Sequence, residues 1–157
     1  MHIAQRQTLN VANRRKRNMT KSATKKTILI VEDDADVREI LSRVLRTAGY
    51  EVHEAGHALG AVCAMVRAGA DLVLTDINMP VMDGFGLVRE LKAHADTRGV
   101  PVVAITGFDT AERRAAALKA GCVGYITKPI DTDDFLSQIA TFVRDGQPAK
   151  QRASPQP

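Results

Sequence analysis

Four short apolar runs in this chain each end in side chains able to do chemistry. Thr27-Ile28-Leu29-Ile30-Val31 leads into Glu32, Asp33 and Asp34, and Leu72-Val73-Leu74 leads through Thr75 into Asp76. Val100-Pro101-Val102-Val103-Ala104-Ile105 leads into Thr106-Gly107, and Val123-Gly124-Tyr125-Ile126-Thr127 leads into Lys128-Pro129. Runs of this kind fit strands buried on both faces. If the four lie parallel in one sheet, their ends bring carboxylates, a hydroxyl and an ammonium to one edge, where open α/β sheets bind their ligands. Carboxylates gathered there repel one another unless a hard cation joins them, and an oxygen-only donor set suits Mg²⁺. The lysine and the hydroxyl then suit a phosphoryl group.

The segments between these runs must position them, and most read as helices. Val37, Ile40, Leu41, Val44 and Leu45 form one apolar stripe that Gly49 is placed to stop. Tyr50 to Ala55 alternates as a further strand, and Leu59, Val62, Cys63 and Val66 repeat the helical stripe as far as Gly69. After Asp76, the Met79-Pro80 break and the Asp83-Gly84 turn force the chain round before the next helix, with Phe85, Val88 and Leu91, which runs to Ala95. Thr110 to Ala120 is helical by propensity, rich in alanine and arginine, with Leu118 as its main anchor; it is expected to be weakly held. Asp131 to Asp145 is a last helix with Phe135, Ile139, Phe142 and Val143 on one face. Five strands alternating with five helices predict parallel pairing, right-handed crossovers and a doubly wound sheet.

Glu32-Asp33, Asp76, Thr106 and Lys128-Pro129, in this order and with the turn at Met79-Pro80 and Asp83-Gly84, resemble the receiver domain of two-component response regulators over Thr27 to Asp145. The resemblance implies an α/β, flavodoxin-like and CheY-like (βα)5 fold with strand order 2-1-3-4-5, in which the acids of the first and third strands meet at the switch point. It implies that Asp76 is the phosphoacceptor, forming an acyl phosphate. Asp33 and Asp76 would bind Mg²⁺ directly, Glu32 through water and Asn78 through its backbone carbonyl. Lys128 would neutralise the phosphoryl oxygens, and Thr106 and the Gly107 N–H would donate to them. Tyr125 would be an aromatic switch that turns when Thr106 moves, and the Lys128-Pro129 bond is expected to be cis. Asn78 and Phe108 would flank the path of an attacking water, with Phe108 as a shield. Capping of the first helix, the bland role for Glu32-Asp33, is open to Asp34 or Asp36 instead.

The partners implied are a sensor histidine kinase or a histidine phosphotransfer protein upstream and a target protein on the face made by helix 4, strand 5 and helix 5. Neither membrane nor nucleic acid is expected as a partner, and the state expected is a monomer or a weak, phosphorylation-dependent dimer. The chain would be a signalling phosphoacceptor that catalyses its own phosphoryl transfer and dephosphorylation, and not an enzyme with a substrate to turn over.

Charge divides the chain. Residues 1–26 carry eight basic side chains and no acid, and read as a disordered extension. Residues 27–146, the expected receiver domain, carry 12 Lys and Arg against 18 Asp and Glu, so this body is acidic. Residues 147–157, polar with three prolines, read as a disordered tail with no output domain after it, hence a stand-alone regulator acting by contact. Cys63 and Cys122 are expected to be buried packing residues. No apolar run approaches the ~20 residues of a membrane span, and the N-terminus has no secretory core, so a cytoplasmic address is expected. Three other readings stay open: a degenerate receiver that binds partners without phosphate, a DNA-binding regulator using the basic arm, and a flavin-binding protein of the same topology. The last is disfavoured because the first strand-to-helix loop offers acids where a phosphate cradle needs Gly, Ser or Thr.

Overall fold

A computed structural model describes residues 25–145; the expectations for the basic extension and the C-terminal tail fall on 1–24 and 146–157, outside the described residues. The apolar runs form five strands: β1 (Thr27–Val31), β2 (Glu51–Ala55), β3 (Leu72–Asp76), β4 (Val102–Thr106) and β5 (Gly124–Thr127). All pair in parallel, in the order β2-β1-β3-β4-β5. The helices are α1 (Ala35–Thr47), α2 (Ala58–Arg67), α3 (Gly84–Ala93), α4 (Ala111–Ala120) and α5 (Thr132–Asp145).

Side chains on a strand alternate between faces, and here both faces are covered, so β1, β3 and β4 are apolar at nearly every position. Ile28, Ile30, Leu72, Leu74, Val103 and Ile105 pack with Leu41 and Leu45 of α1 and Phe135 and Ile139 of α5. Leu29, Val31, Val73, Val102 and Ala104 point the other way and pack with Met65 of α2, Leu87, Val88 and Leu91 of α3, and Ala117 of α4. The helix after β1 covers one face and the helix after β3 covers the other. The strand ends between them therefore open into a crevice at the β1/β3 boundary.

Several apolar positions depart from the sequence expectation. On α2 most of the expected stripe faces outward: Leu59 is 70% and Val66 77% exposed, and Cys63 is exposed too, while Val62 is half-buried against the core and Ala58, Ala61 and Met65 are buried. The helix is apolar on nearly every side, so period alone could not choose its inner face; small alanines let its backbone lie close to the sheet. Of the two cysteines, Cys122 alone is buried as expected, and burial pushes its thiol up to about 11. Ile40 of α1 is 63% exposed because Leu41 and Leu45 already fill the layer beneath it. On α4 Leu118 is not the anchor: it is 57% exposed, and Ala117 is the residue that is buried.

Candidate functional site

The acids, Asn78, Thr106, Gly107 and Lys128 lie at or next to a strand's carboxyl end, and Tyr125 lies within β5. Asp34 caps α1, its side chain accepting from the Asp36 and Val37 amides, which frees Glu32 and Asp33 from that task. The Glu32 backbone is braced by Arg38, whose Nη1 donates to its carbonyl at 2.6 Å. Asp76 ends β3 between β1 and β4 and is 6% exposed. The chain then doubles back so tightly that the Gly84 N–H donates to the Ile77 carbonyl at 2.9 Å. A Cβ on Gly84 would fall 2.8 Å from Ile77 Cα and collide with the Asp76 carbonyl, so glycine is required here.

Glu32, Asp33 and Asp76 each offer a carboxylate oxygen, and these lie within 4.8 Å of one another; Asp33 is exposed and the other two are buried. Lys128 reaches across from the end of β5, with Nζ 3.1 Å from Glu32 Oε2 and 3.8 Å from Asp76 Oδ1. Burial pushes both the Glu32 and the Asp76 carboxyl above the ordinary range, with the Asp76 charge adding to the rise at Glu32 and the Asp33 charge adding to it at Asp76; the Lys128 ammonium pulls both back in part. One ammonium does not offset three gathered carboxylates, and the all-oxygen donor set with one solvent-facing member fits a hard divalent cation such as Mg²⁺.

Thr106 is fully buried at the end of β4, and its Oγ1 accepts from the Phe108 amide at 3.1 Å. Gly107, beside it, is exposed. Tyr125 is half-buried on β5, its hydroxyl donating to the Phe108 carbonyl, so the expected switch residue and Thr106 hold the same residue from two sides. The Lys128-Pro129 bond is cis, as expected. Asn78 is exposed; its amide N–H donates to Asp76 Oδ1 at 3.4 Å, and its side chain turns to α4. Sequence reasoning passed over three residues at this edge: Arg38, Arg113, which meets the Asn78 side chain, and Arg114, which pairs with Asp109 and lies over the Tyr125 ring. Arginines in helical segments carry no signal in the sequence that sets them apart from solvated ones.

The family model of the response regulator receiver domain matches residues 28–140. The chain belongs to that family. Among relatives of this receiver domain, the probable transcriptional regulatory protein SilR of Salmonella typhimurium is 35% identical over 119 residues, which are 76% of this chain and 51% of that protein. The phosphate regulon transcriptional regulatory protein PhoB of Pseudomonas aeruginosa is 33% identical over 128 residues, 82% of this chain and 56% of that protein. The chain thus spans about half the length of these two curated relatives. Among solved structures, a CheY-like receiver domain protein from Methanospirillum hungatei matches with a TM-score of 0.72 at 32% identity, covering 78% of this chain and 97% of that one. The receiver domain of sensor histidine kinase PA1611 from Pseudomonas aeruginosa, solved with a magnesium ion coordinated in its active site cleft, matches with a TM-score of 0.71 at 29% identity over 77% of this chain and 99% of that one. The receiver domain here is therefore flavodoxin-like, with the strand order its family resemblance implied. Among the described residues no helix is long and apolar enough to cross a membrane.

Proposed function

We propose that this receiver domain accepts a phosphoryl group on Asp76 from the phosphohistidine of a sensor histidine kinase or of a histidine phosphotransfer protein, and that the modified state is read by a protein partner. The observation that carries the reading is the cluster of Glu32, Asp33 and Asp76 oxygens with the Lys128 ammonium 3.8 Å from Asp76. Asp76 alone would be an ordinary strand-end acid. Beside Lys128 and two further carboxylates it is a nucleophile with a counter-charge for the incoming phosphoryl oxygens.

In this reading the ionised Asp76 carboxylate attacks phosphorus, and the donor imidazole leaves with the electron pair of the broken P–N bond. Lys128 follows the charge from donor to acceptor, and Thr106 and the Gly107 N–H donate to the phosphoryl oxygens. Glu32, Asp33 and Asp76, with the Asn78 carbonyl, would hold Mg²⁺; when bound it supplies the positive charge that lets an anionic carboxylate meet an anionic phosphoryl group. That the similar PA1611 receiver domain carries magnesium in its cleft supports the assignment. Thr106, in donating to the phosphoryl group, gives up the Phe108 amide, and Tyr125, tied to the Phe108 carbonyl, is free to turn. The surface formed by α4, β5 and α5 changes as a result, and this is where the target binds. The domain is then a signalling phosphoacceptor of the cytoplasm, its turnover limited to its own phosphorylation and dephosphorylation.

Incubation with acetyl phosphate, with and without Mg²⁺, followed by intact mass and site mapping tests this. The result expected is a Mg²⁺-dependent gain of one phosphoryl group on Asp76, absent from Asp76→Asn. No gain under any condition would leave a phosphate-independent binding module.

A further inference from the structure

Arg113 stands in the first turn of α4, its backbone N–H donating to the Thr110 cap hydroxyl at 3.2 Å. Its neighbour Arg114 pairs with Asp109, but Arg113 turns toward the site edge. There its Nη1 donates to Asn78 Oδ1 at 3.1 Å, and its guanidinium carbon lies 5.1 Å from the centroid of the Phe108 ring. Asn78 follows Asp76 by two residues and Phe108 follows Thr106 by two, and both bond back, Asn78 N–H to the Asp76 carboxylate and Phe108 N–H to the Thr106 hydroxyl. One side chain thus ties the loop leaving β3 to the loop leaving β4, across the two residues bonded to the phosphoacceptor and its hydroxyl partner.

We propose that Arg113 is a positioning residue that prolongs the phosphorylated state by keeping the Asn78 carboxamide oxygen turned away from the hydrolytic water. The proposal rests on the reading of Asp76 as phosphoacceptor. In hydrolysis the water oxygen forms a bond to phosphorus as the P–O bond to Asp76 breaks. The carboxylate leaves with that electron pair, one water proton stays on the new phosphate oxygen, the other passes to the phosphate dianion or to solvent, and inorganic phosphate departs. The displacement is in line, so water enters opposite the Asp76 oxygen; Asp76 is buried at the strand end, and that approach comes from the solvent side, where the β3 and β4 loops lie. A carboxamide has one oxygen that accepts and one nitrogen that only donates, so the oxygen alone can orient a water by taking its O–H. Arg113 takes one of that oxygen's two lone pairs and holds the side chain toward α4. The Phe108 ring beneath the guanidinium fixes the plane from which it donates.

The test is the lifetime of the acyl phosphate in the full chain. Wild type, Arg113→Ala, Arg113→Lys, Asn78→Ala and the Arg113→Ala/Asn78→Ala double variant are loaded with acetyl phosphate and Mg²⁺, desalted, and followed by intact mass. Arg113→Ala is expected to speed loss of the phosphoryl group by about threefold to tenfold, the rate equivalent of one modest hydrogen bond, with an unchanged rate of loading. Arg113→Lys, which keeps the charge without the planar fork, is expected to restore part of the lifetime. In the Asn78→Ala background, removing Arg113 is expected to change nothing. A lifetime unaffected by Arg113→Ala, or an acceleration that persists in full without the Asn78 side chain, overturns the proposal while leaving Asp76 the phosphoacceptor. A wild-type chain that never gains a phosphoryl group overturns both readings.

Discussion

Ser42 is buried on the inner side of α1, 1% exposed, and its Oγ has no hydrogen-bond partner. The other buried polar residues differ in that respect. Thr97 donates to the Leu91 carbonyl from its loop, and Glu32, Thr75, Asp76 and Thr106 stand at the carboxyl ends of β1, β3 and β4, where each has a partner in or beside the site. Four of these six lie where the chemistry is, Thr97 and Ser42 lie away from it, and Ser42 alone of the six lacks a partner. A buried hydroxyl without a bond costs about 1–3 kcal/mol. Ser42→Ala removes only that oxygen and improves helix propensity, so it is expected to stabilise the fold by about 1 kcal/mol, with a rise in Tm of about 3–6 °C. Calorimetry checks this, and a lower Tm would mean that the hydroxyl is satisfied in solution. At this scale the sequence showed the site well, because Glu32, Asp33, Asp76, Thr106 and Lys128 each follow an apolar run that says where they emerge. Arg113 and Ser42 were not legible, since an arginine or a serine in a helical segment reads as solvent-facing until its neighbours in space are known.

Among the elements, the strands and α5 were legible because their apolar residues are large and few arrangements bury them. The inner faces of α2 and α4 were not, because alanines do the packing there and carry little period. α4 differs from the rest in what holds it. It buries Ala117 alone, its C-terminus is closed by Gly121 in the left-handed region, and its first turn is tied by the Arg113 contact to Asn78 and the Arg114 ion pair with Asp109. The ion pair is exposed and contributes little. An element with so little apolar burial opens locally at low cost, whereas β3 and β4 open only with the whole fold. Native-state hydrogen exchange is therefore expected to show α4 amides protected about a hundredfold less than those of β3 and β4. Equal protection would mean that α4 is as firmly seated as the core, and a poor candidate for the surface that responds to Asp76.

The whole domain feels the acidic cluster through its stability. Burial raises the Glu32 and Asp76 carboxyls, so without a cation the folded state holds their protons more tightly than the unfolded chain does. The stability they contribute is then full below the unfolded values and lost as pH rises through the folded ones. A divalent cation reverses the sign, because it binds the ionised carboxylates of the folded state alone and competes with those protons. Free Mg²⁺ at about ten times its Kd is worth about 1.4 kcal/mol, which is a rise in Tm of a few degrees for a body of this size. The rise is expected to be full near about pH 8 and to shrink near about pH 5, where protons hold the site. Asp76→Asn removes one of the gathered charges, so it is expected to melt above wild type without Mg²⁺ and to gain less from adding it. Differential scanning calorimetry at the two pH values, with and without MgCl₂, measures all four quantities. A wild-type Tm that ignores Mg²⁺ at both pH values would show that three carboxylates within reach of one another are held by Lys128 alone, and would remove the cation from the proposed chemistry.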